Sequence, residues 1–218
     1  MITENYVAFF KGLEKNNTKE WFHEHKSAYE TDVKQPFLKL LEDLIPEVEK
    51  LEPAISLNPK NALFRINRDI RFAKDKSPYN TLMKAGFSPG GRKSELPGFY
   101  LGIGVDKIHV GGGLFAIRPP QLKKIRSLVK EETDKFRAII TAYSFLETFG
   151  ELKGERAKRL EPVFQDTLNE TLYVANKQFY VMRQIDLQPF LNSNKLTEVV
   201  IQHFQEVDPL NRFLKRAF

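Results

Sequence analysis

Two periodicities divide this chain. Through the first fifty residues apolar positions recur at helical spacing. Trp21, Phe22, Ala28, Tyr29 and Val33 share one stretch, and Phe37, Leu40, Leu41 and Leu44 follow Pro36. Asn17 ahead of Glu20 has the spacing of a capping box, which opens the helix predicted from Thr18 to Val33. Pro36 suits the first turn of the next helix, Pro46 is expected to kink or end it, and Pro53 and Pro59 mark a loop beyond.

From Leu63 the period drops to two. Phe64, Ile66, Ile70 and Phe72 alternate with Arg65, Asn67, Asp69 and Arg71, which predicts a strand with one buried face. Arg68 falls on the apolar side, where a charge requires a partner. Residues 82–88 read as a second strand, followed by a glycine- and proline-rich loop from Ser88 to Gly98. Phe99 to Leu114 reads as a hairpin with Asp106 and Lys107 at its tip, Val105 facing Ile108 and Ile103 facing Val110. Its other face is Tyr100, Gly102, Gly104, His109, Gly111 and Gly113, nearly bare of side chains, as where a ligand or another backbone comes close.

Beyond Pro119 and Pro120 a helix carries Leu122, Ile125, Val129 and Phe136 on one face. Lys177 to Ile185 reads as a strand, and Asn194 to Ala217 as a helix interrupted at Pro209. Helices, then strands, then helix predict an α+β fold: a largely antiparallel sheet with a glycine-rich hairpin, flanked by N-terminal and C-terminal helices. A chain of 218 residues, 41% apolar, suits a single domain over residues 1–218.

Composition narrows the chemistry. The chain has no cysteine, which removes disulfides, thiolate metal sites and cysteine nucleophiles. The N-terminus lacks the pattern of a signal peptide and no apolar run approaches membrane-spanning length, so a cytoplasmic protein without a membrane partner is expected. The net charge is +6, and residues 60–93 hold nine lysines and arginines against two aspartates, so that one segment carries the whole basic excess. Its expected partner is anionic.

The string from Phe64 to Tyr79 carries the candidate chemistry. Arginine presents a forked donor matched to phosphate and carboxylate oxygens, and lysine a point charge. Arg65, Arg68, Arg71, Lys76 and Tyr79, with Gly102 and Gly111 as a floor, are the candidate ligand-binding residues. Asp69 and Asp75 are placed to hold the arginines, and Asp69, Asp75, Tyr79 and His109 are the candidates for acid–base work. The competing reading is architectural, an Arg/Asp network that sets strand register. His23, His25 and His203 read as helix residues with no carboxylates placed to complete a metal set, so neither metal nor cofactor is expected. Phosphate-loop and nucleophile-elbow motifs do not occur.

Arg65, Arg68, Asp69, Arg71, Phe72, Asp75, Lys76 and Tyr79 spell the pattern RxxRDxRFxxDKxxY. That pattern resembles a bacterial family known as domain of unknown function 2461, which also occurs within larger fungal proteins. Asn16 to Phe22 with Tyr29 and Pro36, the run Gly111 to Gly113 ahead of Pro119, and Pro209 to Phe218 are similar to it as well. Around Glu161 to Thr167 the chain departs from the family, where a Pro-x-Gly turn is expected. The resemblance implies a single-domain fold and a shared cluster, and assigns no activity. The functional expectation is a small phosphorylated or carboxylated ligand in a basic pocket formed by residues 65–79, with acid–base chemistry open to it. Two alternatives stand beside it. One is a nucleic-acid-binding module in which Phe87, Phe99 or Tyr100 stack on bases; the other is a protein-interaction domain with a purely structural Arg/Asp network.

Overall fold

The structure, a computed structural model, describes residues 1–218. Its N-terminal third is helical: α1 (Glu4–Lys15), α2 (Lys19–Glu24), the single turn α3 (Lys26–Ala28), a π-helical turn over Tyr29–Lys34, and α4 (Gln35–Leu51). The expected helix from Thr18 to Val33 is therefore broken at His25 and resumes through a wider turn. Thr18, not Asn17, caps α2, its hydroxyl accepting the Trp21 N–H at 3.2 Å. Pro36 sits in the first turn of α4 as expected, but Pro46 lies inside that helix without ending it. Six apolar side chains of α4, from Phe37 to Val48, are buried, and that packing holds the helix through the missing hydrogen bond.

A short helix α5 (Pro59–Ala62), capped by Asn58, leads to the sheet. Strands β1 (Met83–Phe87), β2 (Gly98–Ile103), β3 (Lys107–Leu114) and β4 (Phe179–Asp186) form one antiparallel sheet in chain order. The fold is thus α+β with helices at both ends. Between β3 and β4 run α6 (Pro119–Glu131), α7 (Thr133–Ile140), α8 (Tyr143–Phe149) and α9 (Gln165–Glu170), and α10 (Lys195–Lys215) closes the chain. The helix expected through Phe136 is two, parted at Glu132. The C-terminal helix runs through Pro209 uninterrupted, with Val207, Leu210 and Leu214 buried around it.

The hairpin turns one residue earlier than expected. Ile103 pairs with Ile108 and Leu101 with Val110, which puts Val105 and Asp106 at the tip. Partners move by two positions, so each side chain keeps its face. One face, with Ala85, Phe87, Phe99, Leu101, Val110 and Val181, packs beneath α10, where Phe204 stacks on Phe99 at 4.8 Å between ring centroids. Gly112 permits that approach: a Cβ there would stand 2.7 Å from Val207 Cγ1 and 2.4 Å from the Gly98 carbonyl. Tyr6 of α1 donates its hydroxyl to the Ile103 carbonyl at 2.8 Å, tying the N-terminal helices to the same end of the sheet. The core is one connected cluster of 47 buried residues reaching from Ile2 to Ala217.

Residues 63–72 do not form the expected strand. Leu63 bridges Ala85 on the outer edge of β1, and the Phe64 N–H bonds the Lys84 carbonyl at 2.8 Å, but the pairing stops there. The chain then leaves the sheet and doubles back as a hairpin whose stem is Asn67 opposite Tyr79, Arg68 N–H to Pro78 O at 2.8 Å and Asn80 N–H to Ile66 O at 2.8 Å. Of the four apolar positions only Ile66 is buried, and Phe72 is 95% exposed. Local bonds take over the donors a ladder would use. Asp69 accepts the Arg71 backbone and guanidinium N–H groups, and Asp75 accepts from the amide and hydroxyl of Ser77.

Candidate functional site

Alternation along the strands divides the sheet into a buried face and an open one. On the open face lie Lys84 and Gly86 of β1, Gly98, Tyr100 and Gly102 of β2, His109, Gly111 and Gly113 of β3, and Tyr180, Met182 and Gln184 of β4. Its long side chains are partly exposed, whereas those on the opposite face near the sheet centre are buried. Five glycines clear the middle of this surface.

Above it is a cavity of about 570 Å³. Tyr100, His109, Tyr180 and Met182 rise from the strands. Phe64 comes from the segment beside β1, Ser88, Arg92, Ser94 and Leu96 from the loop between β1 and β2, and Phe115 and Ala116 from the segment after β3. The rims are tied to each other and to the body. Arg118 pairs with Glu95 across the two segments, and the Arg92 guanidinium donates to the Lys60 and Asn61 carbonyls at 2.9 Å each. Phe115, although 70% exposed, meets the Tyr180 ring edge-on at 5.2 Å.

Of the glycines on this face Gly98 and Gly113 line the cavity, whereas Gly102 and Gly111, expected as its floor, do not. At two glycines the sheet backbone itself excludes a side chain. A Cβ at Gly111 would stand 2.1 Å from the Val181 carbonyl. Gly113 has φ of 108° and would meet the Phe179 carbonyl at 2.2 Å. Gly102 is different. The point its Cβ would occupy is 2.8 Å from Leu82 Cδ1 and 3.1 Å from the Tyr100 hydroxyl. Register sets Lys84 on one side of Gly102 and His109 on the other. Lys84, the Tyr100 hydroxyl and His109 thus surround Gly102, and of the three Tyr100 and His109 line the cavity. Burial pushes the Tyr100 phenol up to about 12 and lowers His109, against a weaker opposing pull from Asp106. Burial, with the neighbouring Arg68 charge, also lowers Lys84. The Lys84 ammonium donates to Asn80 Oδ1 at 2.8 Å.

Beyond Leu82 a second hollow of about 320 Å³ is lined by Glu14, Asn17, Arg68, Asp75, Ser77, Tyr79, Asn80, Thr81 and Leu82. Here Arg68 donates to Asp75 Oδ2 at 2.5 Å. Tyr79 is buried, its ring stacked on Phe22 at 4.1 Å and 17°.

The basic segment is therefore divided. Arg68, Asp75 and Tyr79 gather at the foot of the hairpin, next to Lys84. Arg71 and Lys76 bond within the hairpin instead: Arg71 forks onto Asp69 at 2.9 and 2.6 Å, and Lys76 donates to the Ile70 carbonyl at 3.0 Å. The Arg71 pair holds the Asp69 carboxylate at about 2, and Ser77 with Arg68 holds Asp75 far below the carboxylate range. Arg65 is exposed. None of these residues lines the cavity over the glycine face; His109 does. Reading the sequence alone overlooked Lys84 beside Gly102, and Phe64, Arg92, Phe115 and Tyr180 as cavity residues. Lys84 carried one usable signal, a charge inside a short apolar strand. The others come from separate segments that only the fold assembles.

No group of three or more histidine, aspartate or glutamate side chains is placed to hold a metal ion. No helix is long and apolar enough to cross a membrane. The sequence model of a family described as conserved hypothetical protein (DUF2461) matches residues 5–213. No curated protein matches the chain.

Proposed function

We propose, for a chain that belongs to the DUF2461 family of conserved hypothetical proteins, that it binds a small phosphorylated or carboxylated ligand. The body of the ligand lies over the glycine-cleared sheet face and its anion turns toward Lys84 and Arg68 at the foot of the 65–79 segment. One observation carries this reading: the centre of an otherwise well-packed sheet is bare on one side, and Phe64, Tyr100, Phe115 and Tyr180 stand around the bare patch. A volume of about 570 Å³ suits a metabolite-sized molecule held by apolar walls and a few polar groups.

The anion follows from charge. Lys84 is partly buried beside Arg68, and its one side-chain hydrogen bond, to Asn80, brings no negative charge. A phosphate or carboxylate there relieves the repulsion between the two cations and fills the remaining ammonium donors. The Tyr100 hydroxyl, kept protonated, is a donor to the same ligand. His109, kept neutral, is a base on the other side of Gly102.

Thermal shift with a panel of phosphate- and carboxylate-bearing metabolites tests the reading. A bound compound raises the melting temperature of wild type by an amount that grows with its concentration over Kd. Lys84→Gln and Tyr100→Phe lose that rise, and Arg71→Ala keeps it. A panel without effect on wild type rejects the proposal, as does a rise that survives in both Lys84→Gln and Tyr100→Phe.

A further inference from the structure

We propose that the hairpin from Asn67 to Tyr79 is a finger that docks single-stranded nucleic acid, with a base stacked on Phe72 and phosphates met by Lys74, Lys76 and Arg65. Phe72 is 95% exposed, the most exposed large apolar side chain of the protein. The Arg71 guanidinium lies 5.9 Å from its ring centroid, so an aromatic plane backed by a cation is offered to solvent. Base–aromatic stacking on such a plane is tolerant of sequence, because every base has a π-face.

The presentation is built. The stem is closed by the paired backbone of Asn67 and Tyr79, by the Arg68–Asp75 ion pair, and by Ser77 on Asp75. Its base is anchored by the Tyr79 ring on Phe22. The two aspartates are occupied within the hairpin, Asp69 by Arg71 and Asp75 by Arg68, which leaves Arg65, Lys74 and Lys76 as cations without a carboxylate partner. A surplus of positive charge around an exposed ring matches the phosphate and base of a single strand.

An anionic membrane shares part of that chemistry, but the finger fits it poorly. Stable membrane attachment needs substantial apolar area or a second anchoring signal. Here one phenylalanine reaches out, with Ile70 and Ala73 partly covered. The inference shares only the stem residue Arg68 with the ligand site proposed above, and its test substitutes neither Arg68 nor any residue of the cavity.

Fluorescence anisotropy of a labelled polyuridine oligonucleotide, with the full chain at low and raised salt, provides the test. Wild type binds the single strand and loses affinity as salt rises. Phe72→Ala weakens binding about 5- to 150-fold, the range of one stacked base, and Phe72→Trp restores it. Lys74→Gln with Lys76→Gln lowers the slope of log affinity against log salt by about 1.4, the release expected for two phosphate contacts on a single strand. Since these side chains are exposed, all the variants are expected to fold, which circular dichroism and melting confirm. Absence of binding by wild type overturns the proposal, as does equal binding by Phe72→Ala. Phe72-dependent sedimentation with phosphatidylserine vesicles, without oligonucleotide binding, also overturns it and assigns the finger to membranes.

Discussion

Asn17 and Tyr79, 62 positions apart, exchange two hydrogen bonds: Asn17 Nδ2 donates to the Tyr79 carbonyl at 3.0 Å, and the Tyr79 N–H donates to Asn17 Oδ1 at 3.1 Å. The amide side chain imitates a strand partner for Tyr79, whose own N–H and C=O are not used in the bridge to Asn67. With the Phe22–Tyr79 stack, it joins the segment before α2 to the foot of the basic hairpin. The stretch Asn16 to Phe22 and the segment Arg65 to Tyr79, far apart in the chain, therefore meet at Tyr79.

Asn17→Ala leaves a backbone donor and acceptor of a buried residue without partners, and is expected to cost about 1–3 kcal/mol. Asn17→Asp does not rescue it, because a carboxylate accepts but cannot donate to the Tyr79 carbonyl. Urea denaturation of the two variants checks this. Full stability of Asn17→Asp would show that one of the two bonds contributes nothing.

Arg71→Ala is expected to be nearly neutral for stability, within about 0.5 kcal/mol. Its partner Asp69 is two residues away, and both side chains are exposed. A melting temperature lowered by many degrees would instead make Arg71 part of the architecture.

Gly112→Ala is expected to destabilise by about 1–3 kcal/mol or more, because the new methyl group drives into the Gly98 carbonyl and Val207 of α10. Gly102→Ala is expected to cost less. Its close neighbours there are the ends of Leu82 and Tyr100, which have room to turn on the open face. The two melting temperatures, measured side by side, report whether the glycines serve helix docking or the open surface. A larger loss for Gly102→Ala would reverse the assignment.

Alkaline solution is expected to unfold the protein early. Tyr29 and Tyr100 are both raised by burial to about 12, from 10.0. Between those values the unfolded chain releases phenol protons that the folded chain retains. The unfolded state then binds fewer protons, and stability falls as pH rises through this window. Each tyrosine contributes about 1–3 kcal/mol of that loss. Tyr100→Phe flattens the fall, read as the urea midpoint against pH, and an unchanged slope would mean that Tyr100 ionises freely.

Local pattern carried much of this architecture. Amphipathic spacing marked α4 and α10, and strict alternation separated a glycine face from an apolar face across β2 and β3. An error in the hairpin turn could not exchange those faces, because the partners shifted by an even number of residues. Charge counting located the basic segment, and the resemblance named the family whose model matches residues 5–213. What lay beyond the sequence depended on competition and on distant neighbours. The alternation of Phe64 to Phe72, broken only at Arg68, read as a strand, but β1 offers it one bridge, and the aspartates close the hairpin with shorter-range bonds. Pro46 and Pro209 looked like breaks, yet the packing of α4 against α10 holds both helices intact. Asn17 matched a cap and serves a residue in another part of the chain. The cavity is the clearest case. Its floor was written as a run of glycines, whereas its walls at Phe64, Phe115 and Tyr180 belong to three separate segments whose meeting only the folded backbone decides.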